Sequence, residues 1–116
     1  MLALVAAVVG CGGGITEQGT LYSVNPSRGV TTYMAGDLQT VHEAAILAVE
    51  QDLRYTVKEQ ASDAREGIVK ARTARDRMVR VSTFKYGDRV TKIEVYVSGD
   101  RTSTLLLLNR IEARVQ

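Results

Sequence analysis

The sequence predicts an α+β domain with the element order β-α-β-β-β-β-α, in which two helices pack on one face of a single antiparallel sheet. Three observations support this class. Apolar residues first recur every three to four positions, then alternate with polar residues through four short stretches, and finally recur at helical spacing again. The links between the alternating stretches are short, which favours antiparallel neighbours. A chain of 116 residues with 45% hydrophobic and 24% charged residues is typical of one globular domain.

The first predicted elements are a strand and a helix. Residues 30–38 are rich in Thr, Tyr and Val and are predicted to form an edge strand. Thr40 and Glu43 have the spacing of a capping box, so the helix is predicted to begin at Thr40. The inward stripe of this helix is predicted to contain Val41, Ala45, Ala48 and Val49, with Ile46 and Leu53 at its edge.

Four strands and a second helix complete the domain. The strands are predicted around Val57, Ala71, Val81 and Val95, and because their links are short they form a meander. Asp100 is the predicted N-cap of the second helix. The inward stripe of that helix is predicted to contain Thr104, Leu107, Leu108, Ile111 and Val115. Both helices are expected on the sheet face that carries Val79, Val81, Ile93 and Val95.

Leu106 does not fit the stripe of the second helix. At 100° per residue it lies about 140° from the centre of that stripe. We therefore expect Leu106 to be exposed, where it could contact a second subunit or a membrane.

The N-terminus is typical of an exported lipoprotein. Residues 2–9 are uncharged and apolar, too few to span a bilayer but suited to the apolar region of a signal peptide. The following Val-Val-Gly-Cys resembles a lipobox that ends at Cys11. Residues 1–10 are thus interpreted as a signal peptide truncated at its start, since no Lys or Arg precedes the apolar run. Residues 11–29 are then the lipidated Cys11 and a flexible tether with a short strand at Tyr22 and Val24, and residues 30–116 are the domain.

An alternative is that residues 1–14 form the first strand and phosphate loop of a cytosolic nucleotide-binding domain. The fingerprint G-x-G-x-x-G requires a glycine at position 15, where this chain has Ile15. It also requires a helix directly after the loop, but residues 16–29 are polar and rich in turn formers. The sequence therefore favours the signal peptide.

The region from Tyr33 to Ile111 resembles a family of short bacterial envelope lipoproteins, a domain of unknown function. The resemblance is carried by Thr40-Val41-His42-Glu43-Ala44-Ala45, Gly67-Ile68-Val69-Lys70-Ala71-Arg72-Thr73-Ala74, Thr91-Lys92-Ile93-Glu94-Val95 and Gly99-Asp100 with the helix that follows. It implies a lipid-anchored protein that faces the periplasm, and it implies no catalytic residue.

No catalytic, metal or cofactor site is expected. His42 is the single histidine and Cys11 the single cysteine, so a metal site lacks partners and no triad can be assembled. We expect His42 to lie at the boundary of the core. A small enzyme with an unrecognised carboxylate pair is the least favoured reading.

A basic sheet face is the candidate binding surface. From Arg54 to Lys92 there are 11 basic and 5 acidic residues. The predicted face consists of Lys70, Arg72, Arg80, Phe84, Lys92 and Tyr96. The alternative interpretation of these residues is a solvent-exposed face without a binding role, on which the aliphatic parts of Lys and Arg side chains cover apolar patches.

The sequence is consistent with two alternative functions. The favoured one is a membrane-anchored envelope lipoprotein without enzymatic activity, a structural or interaction module that binds an envelope protein or anionic headgroups. The alternative is a small cytosolic binder of nucleic acid or another anionic ligand through the basic face. Nucleic acid is disfavoured because the chain has one Phe, no Trp and a net charge of only +2.

Overall fold

The computed structural model describes residues 13–25 and 29–116. Within these ranges one antiparallel sheet of seven strands is covered on one face by two helices, which confirms the predicted α+β class. The strands are β1 (Gly13–Ile15), β2 (Leu21–Asn25), β3 (Gly29–Ala35), β4 (Thr56–Ser62), β5 (Glu66–Arg72), β6 (Met78–Gly87) and β7 (Val90–Val97). The helices are α1 (Leu38–Leu47), which continues into a π-helical turn (Ala48–Asp52), and α2 (Arg101–Val115).

The strand order across the sheet is β1-β2-β3-β7-β6-β5-β4. Strands β4 to β7 are consecutive antiparallel neighbours, as the short links predict, and Val81 is the register partner of Val95. Strand β3 pairs with both β2 and β7. The prediction of an edge strand at residues 30–38 is therefore wrong, because two further strands lie beyond it.

Those two strands come from the segment that the sequence assigns to a tether. Residues 13–25 form the β1–β2 hairpin, so the structure differs from a flexible linker there. Tyr22 and Val24 pack against the core, and the Tyr22 ring lies where a side chain on Gly14 would be. Packing of this kind orders a segment whose local composition is typical of a loop.

Two polar contacts fasten the hairpin to α2. Thr20 donates its hydroxyl hydrogen bond to Glu112, and the Glu17 N–H donates to Asn109 Oδ1 at 2.9 Å. Both contacts join residues 92 positions apart in the chain. Local sequence patterns carry no information about such pairs, which explains why the hairpin was not predicted.

Helix α1 begins earlier than predicted. Its N-cap is Asp37, whose Oδ1 accepts from the Thr40 N–H at 2.8 Å, so Thr40 lies in the first turn and does not cap. This bond lowers the pKa of Asp37. The earlier start buries Leu38 against the core, and Glu43 accepts from Gln39 one turn before it instead of completing a capping box.

Helix α2 begins as predicted. The Asp100 carboxylate accepts from the Ser103 N–H at 2.9 Å, which holds the pKa of Asp100 below its usual value. Its predicted stripe faces inward, with Val115 only partly buried.

The core lies between the helices and one face of the sheet. The hydrophobic side chains that are buried there without exposure are Val30, Val41, Ala45, Ala48, Val49, Val69, Val79, Val81, Ile93, Val95, Leu107 and Ile111. Because side chains alternate along a strand, the residues between these positions on β5, β6 and β7 point to the other face. In the described part of the chain no helix covers that second face, which we call the open face.

Candidate binding face of the sheet

All six residues of the predicted basic face lie on the open face. The register places Lys70, Arg80 and Tyr96 side by side across β5, β6 and β7. Phe84 and Lys92 are partners in a second cross-strand row. Arg72 lies two residues after Lys70 on β5 and therefore shares its face.

Two of the basic side chains lie over aromatic rings. The Arg80 guanidinium is 5.3 Å from the centre of the Tyr96 ring. The Lys92 ammonium is 5.7 Å from the centre of the Phe84 ring. Both distances are within the range of a cation–π contact, which holds the cations against the sheet.

Three of the basic side chains also have acidic neighbours. Lys70 is 3.9 Å from Glu59, and Lys92 is 3.9 Å from Glu94. Arg72 is 3.9 Å from the Asp76 carboxylate and donates to the Asp76 carbonyl at 3.0 Å. The open face is consequently a mixed surface, in which cations are locally balanced and still reachable from solvent.

A shallow depression of about 390 Å³ lies at one end of the open face. Ile68 and Phe84 line it together with Asp63 and Glu66. The Asp63 carboxylate accepts from the Arg65 and Glu66 N–H groups at 2.8 and 2.9 Å, which lowers its pKa and keeps it ionised. An acid at the rim makes this depression a poor site for an anion.

The structure adds a feature that the sequence did not predict, a row of exposed apolar and aromatic side chains. Ile15 and Leu21 are register partners, and Tyr33 and Tyr86 are in edge-to-face contact with ring centres 4.8 Å apart. Leu21 and Tyr33 line the same concavity of the sheet. We call these four residues the apolar row. The short strand predicted at Tyr22 and Val24 implies that Leu21 points away from the core, but no sequence pattern places Leu21 beside Tyr33.

His42 is buried, with 4% exposure, whereas the sequence predicts that it lies at the boundary of the core. Its Nδ1 and the hydroxyl of Thr83 have no hydrogen-bond partner among the described residues. Both atoms flank Gly67, where a β-carbon would come within 2.6 Å of His42 Nδ1 and 2.8 Å of Thr83 Oγ1. Burial lowers the pKa of His42, while the Glu43 carboxylate acts weakly in the opposite direction. His42 is therefore neutral at pH 7, packed over a strand position that has no room for a side chain.

Leu106 is 41% exposed, which confirms its predicted orientation. Whether it forms a contact stays a prediction. Cys11 and the predicted signal peptide lie outside the described residues. Within residues 13–25 and 29–116, no helix is long and apolar enough to cross a bilayer, and no group of three or more His, Cys, Asp or Glu side chains is arranged to hold a metal ion.

The comparison with known proteins places the chain in a family. No curated protein matches it. Residues 1–114 match the profile of a family described as Protein of unknown function (DUF3568). The match covers the apolar run, Cys11, every strand described above, helix α1 and all of helix α2 except its last residue. The chain therefore belongs to the DUF3568 family of proteins of unknown function.

Proposed function

We propose that this protein is a lipid-anchored protein of the bacterial envelope that faces the periplasm and acts by binding rather than by catalysis. The observation that carries the proposal is the position of Cys11. The single cysteine of the chain ends an uncharged apolar run in Val-Val-Gly-Cys. A thiol at that position is the acceptor of a diacylglyceryl group in lipoproteins, and two or more acyl chains give stable attachment to a bilayer.

The family match supports this reading of the N-terminus. It begins at residue 1, so the apolar run and Cys11 belong to the matched region together with the folded domain. Residues 1–10 are then a removed signal peptide, and Cys11 becomes the N-terminus of the mature protein. The binding surface of the anchored domain is its open face, where the Arg72 side chain remains 45% exposed beside Asp76 and Arg80 lies over the Tyr96 ring. Both cations can be reached by anionic headgroups or by an acidic patch of an envelope protein.

The anchor is tested by mass spectrometry of the protein purified from the membrane fraction of cells that express the full-length gene. We expect an N-terminal peptide that begins at Cys11 and carries a diacylglyceryl group. The control is Cys11→Ser, which should retain residues 1–10 and leave the membrane fraction. Recovery of an unmodified chain that retains residues 1–10 would contradict the proposal.

The alternative, a binder of nucleic acid or another anionic ligand, rests on the same open face. The acidic neighbours of Lys70, Arg72 and Lys92 weaken it, because they reduce the positive potential that attracts a polyanion. A mobility shift of single-stranded RNA or DNA that is lost in Arg72→Glu/Arg80→Glu would favour this alternative.

A further inference from the structure

The apolar row is an unusual concentration of exposed side chains on a small domain. Ile15, Leu21, Tyr33 and Tyr86 are exposed by 46, 65, 47 and 69%. Among the described residues they are four of the five large hydrophobic side chains that are exposed, and Leu106 is the fifth. Contiguous exposed apolar surface on a soluble domain marks an interaction site.

The fold brings the four residues together from three separate segments. Ile15 and Leu21 are opposite each other on β1 and β2, so their side chains share a face. Tyr33 follows on β3 and lines the same concavity as Leu21. Tyr86 lies at a β-bulge between Lys85 and Gly87 on β6, and its ring contacts the ring of Tyr33.

The row lies close to the proposed lipid attachment point. Only Gly12 separates Cys11 from the first residue of β1. Three residues lie between Cys11 and Ile15, and even a fully extended chain of four residue steps spans no more than about 14 Å. The hairpin that carries Ile15 and Leu21 is itself fastened to α2 through Thr20 and Glu112, so the whole domain is held near the anchor.

The chemistry of the row suits the boundary between headgroups and acyl chains. Tyrosine has an apolar body and a polar tip and is enriched at that depth of membranes. Leucine and isoleucine supply apolar area, and Lys92, the register partner of Tyr33, supplies a cation for lipid phosphate. Four side chains are too few for stable attachment alone. An anchor that raises the effective concentration to the millimolar range makes such a weak contact persistent.

We propose that the apolar row docks on the bilayer surface into which the Cys11 lipid inserts, so that the anchored domain has a fixed orientation on the membrane. This inference rests on the proposed lipid anchor. The open-face sides of β1, β2 and β3 and the Tyr86 ring on β6 then face the lipid, and β4, at the far edge of the sheet, is the strand farthest from β1 and the anchor. Six strand spacings of about 4.8 Å place β4 roughly 29 Å from β1.

The test uses a tryptophan reporter and a chemical tether. The chain has no Trp and one Cys, so Leu21→Trp introduces a single indole, and maleimide-bearing lipid couples residue 11 alone. The chain is coupled to vesicles of phosphatidylglycerol and phosphatidylcholine that contain lipid with a nitroxide label. The matched control is Gln60→Trp, at an exposed position of the edge strand β4.

We expect the indole of Leu21→Trp to be quenched severalfold more strongly than that of Gln60→Trp, with emission shifted to shorter wavelength. Adding Tyr33→Asp/Tyr86→Asp should return the quenching of Leu21→Trp to the level of the control. Equal quenching of the two reporters would overturn the docking. A blue shift without quenching would indicate contact with a second copy of the chain and would also overturn it.

The lipid anchor and the docking of the apolar row are tested by independent experiments. Because the lipid is attached chemically in this experiment, its outcome does not depend on processing in the cell. An unmodified Cys11 in the native membrane fraction would overturn the anchor, whereas equal quenching in the coupled vesicles would overturn the docking.

Discussion

Among single residues, His42 and Gly67 show how closely α1 approaches the sheet. The imidazole is buried, and its Nδ1 lies where a β-carbon on Gly67 would be. Space for the ring therefore depends on the absence of a side chain at residue 67. The close packing leaves the neighbouring Thr83 hydroxyl, like Nδ1, without a protein partner among the described residues. A buried imidazole in such surroundings resists protonation.

We expect the free energy of unfolding to depend on pH through the buried His42. The folded-state pKa of His42 lies below the value of 6.5 expected for an exposed histidine. Between these two pKa values the unfolded chain binds more protons than the folded chain, so the free energy of unfolding decreases as the pH falls below 6.5. We expect a slope of up to about 1.4 kcal/mol per pH unit in urea unfolding between pH 7.5 and 5.5.

The control for this prediction is His42→Gln, in which the slope over the same range should be nearly absent. The carboxylates whose pKa values lie below the ordinary value of 3.8, such as Asp37 and Asp63, contribute only at more acidic pH. An equal slope in wild type and His42→Gln would show that another group is responsible.

Among the elements, β7 tests the assignment of the two sheet faces. Val95 on β7 has no exposure and is the register partner of both Val30 and Val81. Val95→Asp places an unpaired carboxylate among these side chains, and we expect it to reduce the free energy of unfolding by about 3 kcal/mol or more.

Thermal or denaturant unfolding measures the effect of Val95→Asp. The control is Gln60→Asp on the exposed edge strand β4, which should change the free energy of unfolding by no more than about 0.5 kcal/mol. An unchanged midpoint in Val95→Asp would contradict the assignment of the helix-covered face.

Helix α2 exposes the side chain of Leu106 to solvent and buries those of Leu107 and Leu108 in the core. Leu106→Ser removes the exposed side chain, and we expect folding to persist with a loss of about 0.5 kcal/mol from helix propensity alone. Self-association measured by sedimentation velocity should weaken. Leu107→Ser is the control for the buried side of the helix and should destabilise by about 2 kcal/mol or more. A wild-type protein that is monomeric at all concentrations would contradict a contact of Leu106 with a second subunit.

For the whole molecule, we expect the charges of the open face to contribute to binding at a membrane surface. The unlipidated domain should sediment with anionic vesicles more than with neutral ones. In Arg72→Glu/Arg80→Glu we expect binding to anionic vesicles to fall at least about tenfold, since each basic residue near the surface contributes about 1 kcal/mol. Equal binding to both vesicle types, or no change in the double variant, would leave the open face as a merely solvated surface.

Local residue patterns are sufficient to predict one part of the molecule. Alternation predicted the strands β4 to β7 and, on β5 to β7, the side on which the residues lie, which placed Lys70, Arg80 and Tyr96 correctly on the open face. The 100° turn per residue predicted both the stripe of α2 and the exposure of Leu106. These features depend on neighbours within a few positions, so the residue pattern alone is sufficient to predict them.

The conformation of residues 13–25 and the neighbours of the basic face depend instead on contacts between distant parts of the chain. The β1–β2 hairpin is polar and rich in turns, and it is ordered by contacts such as Thr20 with Glu112, between residues 92 positions apart. The same long-range pairing aligned Leu21 with Tyr33 and brought acidic partners to Lys70 and Lys92. Such contacts form because the folded chain buries apolar area that no single segment can bury alone, and they leave no periodic trace in the sequence.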